Sequence, residues 1–410
     1  MDYSSKIFIG RQPILDRDRR TFAYELLYRS GMENIFPGGS ASQATIKLLE
    51  GSFCTLGIDR ITGSRRAFIN FSRSLLLSDL SFLSPERVVI EVLETVMVDQ
   101  DLVEVISGLK KKGFYIALDD FTWTPEFEPL IALADFIKVD WLATPQGEIE
   151  RIARAFADSS IKLVAEKIEN YDQFKVAHVL GFDYFQGFFF ARPSILKGRD
   201  VRPARRTRLR LLAAVNSSEM RIEQIYSLLM KDPALAIKVL RLVNSANFGL
   251  PEKISSIRQA VTLLGERRLK QWLSIIFLSS ISRGAPEALF NAAVVRACFS
   301  ERVAMEVGQS EIGASAFMAG LLSLTEALFN IPACEVLRDL PLHADIKNAV
   351  ISKKGPLFPF VALSQACELA DMRKIAGLCR DLGLSTSRVA ECWMESVRWV
   401  NDSMSVLPNP

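Results

Sequence analysis

The sequence predicts two domains of different class, an α/β barrel over residues 1–200 followed by an all-helical domain over 201–410. Three observations predict it. A chain of 410 residues exceeds what one hydrophobic core usually supports. Up to about residue 193, short β-rich runs recur with helix-length segments between many of them. Beyond that point the alternation gives way to helical periodicity.

The β-rich runs, in order, are IFIG, FAYELLY, RAFINFS, RVVIEVLE, FYIALDD, FIKVDW, IKLVAEKIE and YFQGFFF. Most read as apolar stretches ending in polar residues, which suits strands buried on both faces of a parallel barrel better than a sandwich. In such a barrel the chemistry gathers at the C-terminal ends of the strands. Fewer than 200 residues lies at the low end for eight βα units, so some peripheral helices or loops are expected to be trimmed.

The stretch VRPARRTRLR, Val201–Arg210, marks the expected boundary. Its five arginines are read as a solvated linker or helix face and are assigned no ligand. In the segment that follows, Asp232 caps a helix, Pro233 suits its first turn, and Gly249 with Pro251 can end it. Leu235, Val239, Leu242, Val243 and Ala246 form its apolar face. A second helix starts at Ser256, which has capping-box spacing to Gln259, and ends at Gly265. A third carries Leu269, Trp272, Leu273 and Ile276 on one stripe, and Phe317–Leu322 and Ala362–Leu369 are also helical.

Composition narrows the function classes. With 49% apolar and 24% charged residues the chain is an ordinary globular protein. A net charge of +3, from 50 basic and 47 acidic residues, gives no reason to expect a nucleic-acid polymer as partner. The six cysteines, Cys54, Cys298, Cys334, Cys367, Cys379 and Cys392, have no CxxC spacing and read as buried reduced thiols. The sequence shows no signal peptide and no apolar run long enough to span a membrane, so a cytoplasmic location without membrane partners is expected.

The informative feature is a set of oxygen-bearing side chains set into or at the ends of successive apolar runs: Glu25, Asn70, Glu91, Asp119, Asp120 and Glu166. A barrel gathers them at one mouth, where acids repel unless a cation or proton intervenes. An all-oxygen set favours Mg²⁺ or Mn²⁺, and two adjacent aspartates could serve two ions. A two-metal centre suits hydrolysis of a phosphodiester, with Lys138 adding positive charge near the phosphate. Each acid alone could equally be a helix cap or an ion-pair partner; the recurrence carries the argument.

On these residues the first half resembles the EAL domains, which have TIM-like (β/α)8 barrels and bind and often hydrolyse cyclic-di-GMP. Tyr24-Glu25-Leu26-Leu27 with Arg29 is similar to the signature strand, Asn70 in FINFS to the family's metal-binding asparagine, and Glu91 with Glu94 in EVLET to its glutamate strand. Asp119-Asp120-Phe121 matches the paired aspartates, Asp119 bridging the ions and Asp120 holding the second. The resemblance makes Glu25, Asn70, Glu91, Asp119, Asp120 and Glu166 metal ligands, with Lys138, Glu166 and Glu25 catalytic. It implies phosphate contact by Arg29, water and phosphate orientation by Lys138, Glu166 and Glu169, and closure of the ligand pocket by Gln186 and Pro193 in YFQGFFFARP.

Three departures stand against full equivalence. Leu26 replaces the alanine of the EAL triplet, Thr122 stands where a glycine usually follows the aspartates, and WTPEFEPL replaces the glycine- and serine-rich loop beyond. If that glycine serves a positive φ, the β-branched Thr122 is costly there. The second half resembles HDOD domains through KDPALAIKVLRLVNSANFG, SSIRQAVTLLG and FMAGLLSL. The full order is that of EAL-HDOD (YuxH-type) signalling proteins. HDOD domains are relatives of HD phosphohydrolases, whose metals need a His-Asp pair. Here His178 and His343 are the only histidines and neither precedes an aspartate, so a protein partner and regulatory output are expected of the second half. Three functions stay open: metal-dependent cleavage of cyclic-di-GMP, a non-catalytic cyclic-di-GMP receptor, and a protein-interaction scaffold. A homodimer is compatible with the family, although the loop that serves dimerisation there differs here.

Overall fold

In a computed structural model the protein is described at residues 7–30, 58–187, 203–217, 219–244, 253–282 and 284–404. Two compact units are present. One holds the chain to Arg192 with Ala366–Gly377 and Thr386–Ala390, and the other holds the remainder.

The first unit is a closed eight-stranded barrel in sequence order. Its strands are β1 (Ile7–Asp16), β2 (Thr21–Ser30), β3 (Arg66–Phe71), β4 (Val88–Val92), β5 (Tyr115–Leu118), β6 (Phe136–Asp140), β7 (Lys162–Glu166) and β8 (Tyr184–Gln186). All eight β-rich runs coincide with strands. Between them stand α1 (Gln100–Lys111), α2 (Gln146–Phe156) and α3 (Tyr171–Val179). The trimming expected from length is visible after β3 and β5, where the helices are single turns, Arg73–Leu76 and Glu128–Ile131.

Strand pairing departs from an all-parallel barrel. β2 to β8 pair in parallel, but β1 lies antiparallel to both β2 and β8. The cause is chain length: only a short turn separates Asp16 from Thr21, and parallel neighbours need a crossover of about a dozen residues or more. That turn is tied by Arg20 N–H to Asp16 Oδ1 at 2.7 Å, with Arg19 at φ 63°. The run IFIG therefore continues through Gln12, Pro13 and Ile14 to Asp16, and Pro13 had obscured that continuity.

The barrel interior is layered. Ile14, Ala23, Phe68, Val89, Ala117, Phe136 and Val164, from β1 to β7, form one buried apolar cluster, with Phe22, Tyr115 and Tyr184 packed against it. Successive side chains of a strand alternate faces, so the residue two positions on returns to the same interior. From β2 to β7 that residue is Glu25, Asn70, Glu91, Asp119, Lys138 and Glu166. One polar layer therefore sits directly on an apolar floor.

The second unit is helical, with α4 (Pro203–Val215), α5 (Ile222–Lys231), α6 (Pro233–Val243), α7 (Ile257–Ile281), α8 (Glu287–Glu306) and α9 (Gly313–Leu322). The later long helices of the chain are α10 (Phe358–Glu368), α11 (Met372–Leu382) and α12 (Thr386–Met404). Asp232 accepts from Leu235 N–H at 3.0 Å and Pro233 opens α6, as expected. The helix ends at Asn244, whose amide is bonded to both the carbonyl and the N–H of Ile254; Ala246, Gly249 and Pro251 lie outside the described residues. Ser256 is the N-cap of α7 but makes no side-chain capping bond, so the expected capping box is absent. Gly265 interrupts α7 at φ 69° and ψ 168°, separating the two helices expected on either side of it.

From Pro203 on, the arginine-rich stretch forms the first turns of α4, where Leu209, Leu212 and Ala213 are buried and Arg208 and Arg210 face out; Val201 and Arg202 lie outside the described residues. Among the described cysteines, all free, Cys298, Cys367, Cys379 and Cys392 are buried, while Cys334 is exposed. No helix is long and apolar enough to cross a membrane among the described residues.

Gly320 permits the close approach of α9 to α8. A Cβ there would lie 2.5 Å from the Arg296 carbonyl oxygen, contact that only a backbone shift relieves. Gly320→Ala is therefore expected to destabilise the helical unit by about 1–3 kcal/mol, read as a lower urea midpoint.

Candidate functional site

The polar layer closes around one ammonium. Lys138, on β6, has no exposed surface, and its Nζ lies 2.5 Å from Glu91, 2.6 Å from Glu166, 2.8 Å from Asp119 and 3.7 Å from Glu25. Burial alone would push this ammonium down, but Asp119, Glu166, Glu25 and Glu91 together hold it well above its ordinary pKa. The same burial raises Glu91 well above the carboxylate range despite Lys138 beside it.

Glu25 is braced from two sides. Asn70 Nδ2 donates to its Oε1 at 3.0 Å, and Gln186 Nε2 donates to its Oε2 at 2.5 Å. Gln186 also donates to Gln12 Oε1 at 2.9 Å. Gly187 holds β8 against the chain after β7, at φ 140°, where a Cβ would lie 2.2 Å from the Ile168 oxygen. Glu25, Asn70, Glu91, Asp119, Lys138, Glu166 and Gln186 are thus brought together at the C-terminal ends of the parallel strands.

Asp120 stands at the rim. One ligand atom each from Asp119, Asp120 and Glu166 lies within 4.8 Å of the others. Asp120 has φ 40°, whereas Thr122 is not among the residues with positive φ. The expected strain at Thr122 is therefore absent; the left-handed backbone falls two residues earlier, at Asp120, a residue type that tolerates it. The loop that follows is anchored by rings instead: Phe121 packs edge-on to Trp123 at 6.1 Å, and Trp123 stacks on Phe156 at 5.4 Å.

The donor chemistry fits a hard divalent cation. The sites offer carboxylate and amide oxygens, and several buried ones lack a hydrogen-bond donor: Asn70 Oδ1, Gln186 Oε1 and both oxygens of Glu91, which meets Lys138 as an ion pair without hydrogen-bond alignment. Buried acceptors left so are costly unless a cation or water satisfies them.

Three members escaped the sequence reading. Gln12 reaches the mouth because β1 runs antiparallel, so its inward residue lies before Ile14 and not after it. Asp140 accepts from Leu142 N–H at 2.8 Å and Ala143 N–H at 2.9 Å and ion-pairs with Lys167. Lys167 also lies 3.3 Å from Asp120. The signal for Asp140 and Lys167 was their place beside Lys138 and Glu166 in the same motifs. Of the other expected residues, Glu94 is exposed beyond β4, and Glu169, three residues after Glu166, donates its backbone N–H to Gln173 Oε1 at 2.8 Å. The Arg29 side chain and Pro193 lie outside the described residues. His178 packs beside Phe185 and Arg17, and His343 caps a short helix.

Burial lifts the Glu166 carboxyl from 4.5 to about 8, with Lys138 pulling it down and Asp119 and Glu25 pushing it further up. The unfolded chain releases this proton near 4.5, while the folded one keeps it to about 8. The stability it contributes is complete below the lower value and is lost as pH rises through the higher. In chelator, the urea midpoint of the barrel is expected to fall between pH 5 and pH 8.5, and Mn²⁺ to flatten that fall, because ligands bind metal deprotonated. A midpoint indifferent to pH in chelator would count against a proton held on Glu166.

Family models match the chain in two places, an EAL domain over residues 51–193 and an HDOD domain over residues 203–329. The chain is 33% identical over 399 residues to the cyclic di-GMP phosphodiesterase CdgJ of Vibrio cholerae, covering 96% of this chain and 92% of that one. It is 30% identical over 410 residues to the uncharacterized protein YuxH of Bacillus subtilis, covering 97% of this chain and 99% of that one. Among solved structures, the calcium and cyclic-di-GMP complex of Klebsiella pneumoniae BlrP1 is 23% identical, with a TM-score of 0.38, over 46% of this chain and 56% of that one. That last likeness is too slight to bear on function.

Proposed function

The chain belongs to the EAL-HDOD family, and from that premise we propose that its barrel, residues 1–200, cleaves cyclic-di-GMP to the linear dinucleotide with Mg²⁺ or Mn²⁺. The observation that carries this reading is the excess of buried oxygen ligands over cations at the barrel mouth, with Asn70 Oδ1 and Glu91 lacking donors. Glu25, Asn70, Glu91, Asp119, Asp120 and Glu166 would hold the metal. Bound there, a divalent ion lowers the pKa of water and offsets charge on the phosphate oxygens.

The protein's own groups do the rest. Lys138 keeps four carboxylates within reach of one another and supplies positive charge beneath the phosphate. Glu25 fixes the amides of Asn70 and Gln186 by accepting one bond from each, so their free oxygens are aimed before ligand arrives. Arg29 and Pro193 contact the dinucleotide in this reading. The helical domain, residues 201–410, passes the state of the barrel to a protein partner, and the protein acts in the cytoplasm.

The test is single-turnover hydrolysis of cyclic-di-GMP by the full chain with Mn²⁺ or Mg²⁺, with products resolved by chromatography. Turnover that stops in chelator and returns with metal supports the reading. Saturating dinucleotide without product would sink it and leave a receptor.

A further inference from the structure

Among the described residues two ammonium groups serve the barrel mouth, and they differ in depth. Lys138 is wholly buried beneath the carboxylates, whereas Lys167, the residue after β7, is half-exposed above them. Lys167 Nζ lies 3.3 and 3.4 Å from the two oxygens of Asp120, astride the carboxylate, and its second partner is Asp140. Asp140 is itself fixed, its other oxygen accepting from Leu142 and Ala143.

Asp120 is also one of the three residues whose ligand atoms converge within 4.8 Å. A divalent ion on that carboxylate would sit about 2.0–2.6 Å from its oxygen. An ammonium astride the same group then faces the ion at close range, and like charges repel. We propose that Lys167 is a tethered competitor for the outer cation position: the ion binds Asp120 only when the ammonium swings off it, retained by Asp140. Lys167 thus positions charge, and it makes the outer ion the weaker-bound of two. This rests on the reading of the mouth as a metal centre.

Mn²⁺ titration of the full chain, followed by electron paramagnetic resonance, tests it in wild type, Lys167→Met and Lys167→Arg. Lys167→Met is expected to bind the weaker Mn²⁺ about tenfold more tightly or better, with the tighter site unchanged, and Lys167→Arg to stay near wild type. A damaged fold weakens metal binding, so a gain separates this role from a structural one. Equal or poorer affinity in Lys167→Met overturns the competition while leaving the metal centre standing. No Mn²⁺ bound by any of the three proteins overturns both.

Discussion

Lys138→Met is expected to cost about 3–5 kcal/mol of unfolding free energy in chelator at pH 8, the loss that follows when one partner of a buried ionic cluster is removed. The side chain has no exposed surface and is the common counter-charge of Glu91, Glu166, Asp119 and Glu25. Methionine fills the space of the stem but leaves four carboxylates facing one another. The cluster can answer only by taking up protons, and Glu166 already holds one to about pH 8. The loss should therefore shrink toward pH 5.5, and Mn²⁺ should recover part of it by supplying the missing positive charge. Urea unfolding with and without metal reads all three effects. A loss under about 1 kcal/mol at pH 8 would mean that Lys138 is not what holds the carboxylates together.

Glu25→Ala is expected to reduce turnover of cyclic-di-GMP by about 10²- to 10³-fold, the scale seen when one preorganised electrostatic group is lost. Its carboxylate accepts from Asn70 and from Gln186 and lies 3.7 Å from Lys138. Truncation therefore removes a proposed ligand and releases two amides whose oxygens it had aimed. Dinucleotide affinity should change far less, since the residue lies on the floor of the mouth. A fall in turnover with binding retained marks catalytic use. Equal losses in binding and turnover would instead assign Glu25 to holding the ligand.

Much of this site was legible in the sequence because β-strand periodicity is rigid. Once Ala23, Phe68, Val89, Ala117, Phe136 and Val164 form one apolar layer, the positions two residues on must share the interior. Their clustering needs no knowledge of loops. Gln12 was not legible, because the direction of β1 is set by the shortness of the Asp16–Thr21 connection and its length was hidden by Pro13. Asp140 and Lys167 were missed for a different reason. Their pairing joins the end of one strand to the residue after the next, and the reach of a lysine across a barrel rim leaves no period in the sequence. Ser256 shows the converse, a capping-box spacing present in the sequence with no capping bond made. The cost attributed to Thr122 assumed that the left-handed residue follows the aspartates, when it is Asp120 itself.

The antiparallel β1 also fixes the order in which the domain can be completed. β1 is synthesised before the other seven strands, yet its second edge is covered only by β8, and the hydrogen bond that Gln186 donates to Gln12 across that seam joins residues 174 apart in sequence. Closure entropy for so long a span must be met before any pairing rewards it, which places this seam among slow, late folding events. A sheet of these strands left unclosed at that seam has two bare edges, the arrangement most prone to pair with a neighbouring chain. The ribosome must release β8 before the barrel can shut, and Gln12 and Gln186 meet only at that moment.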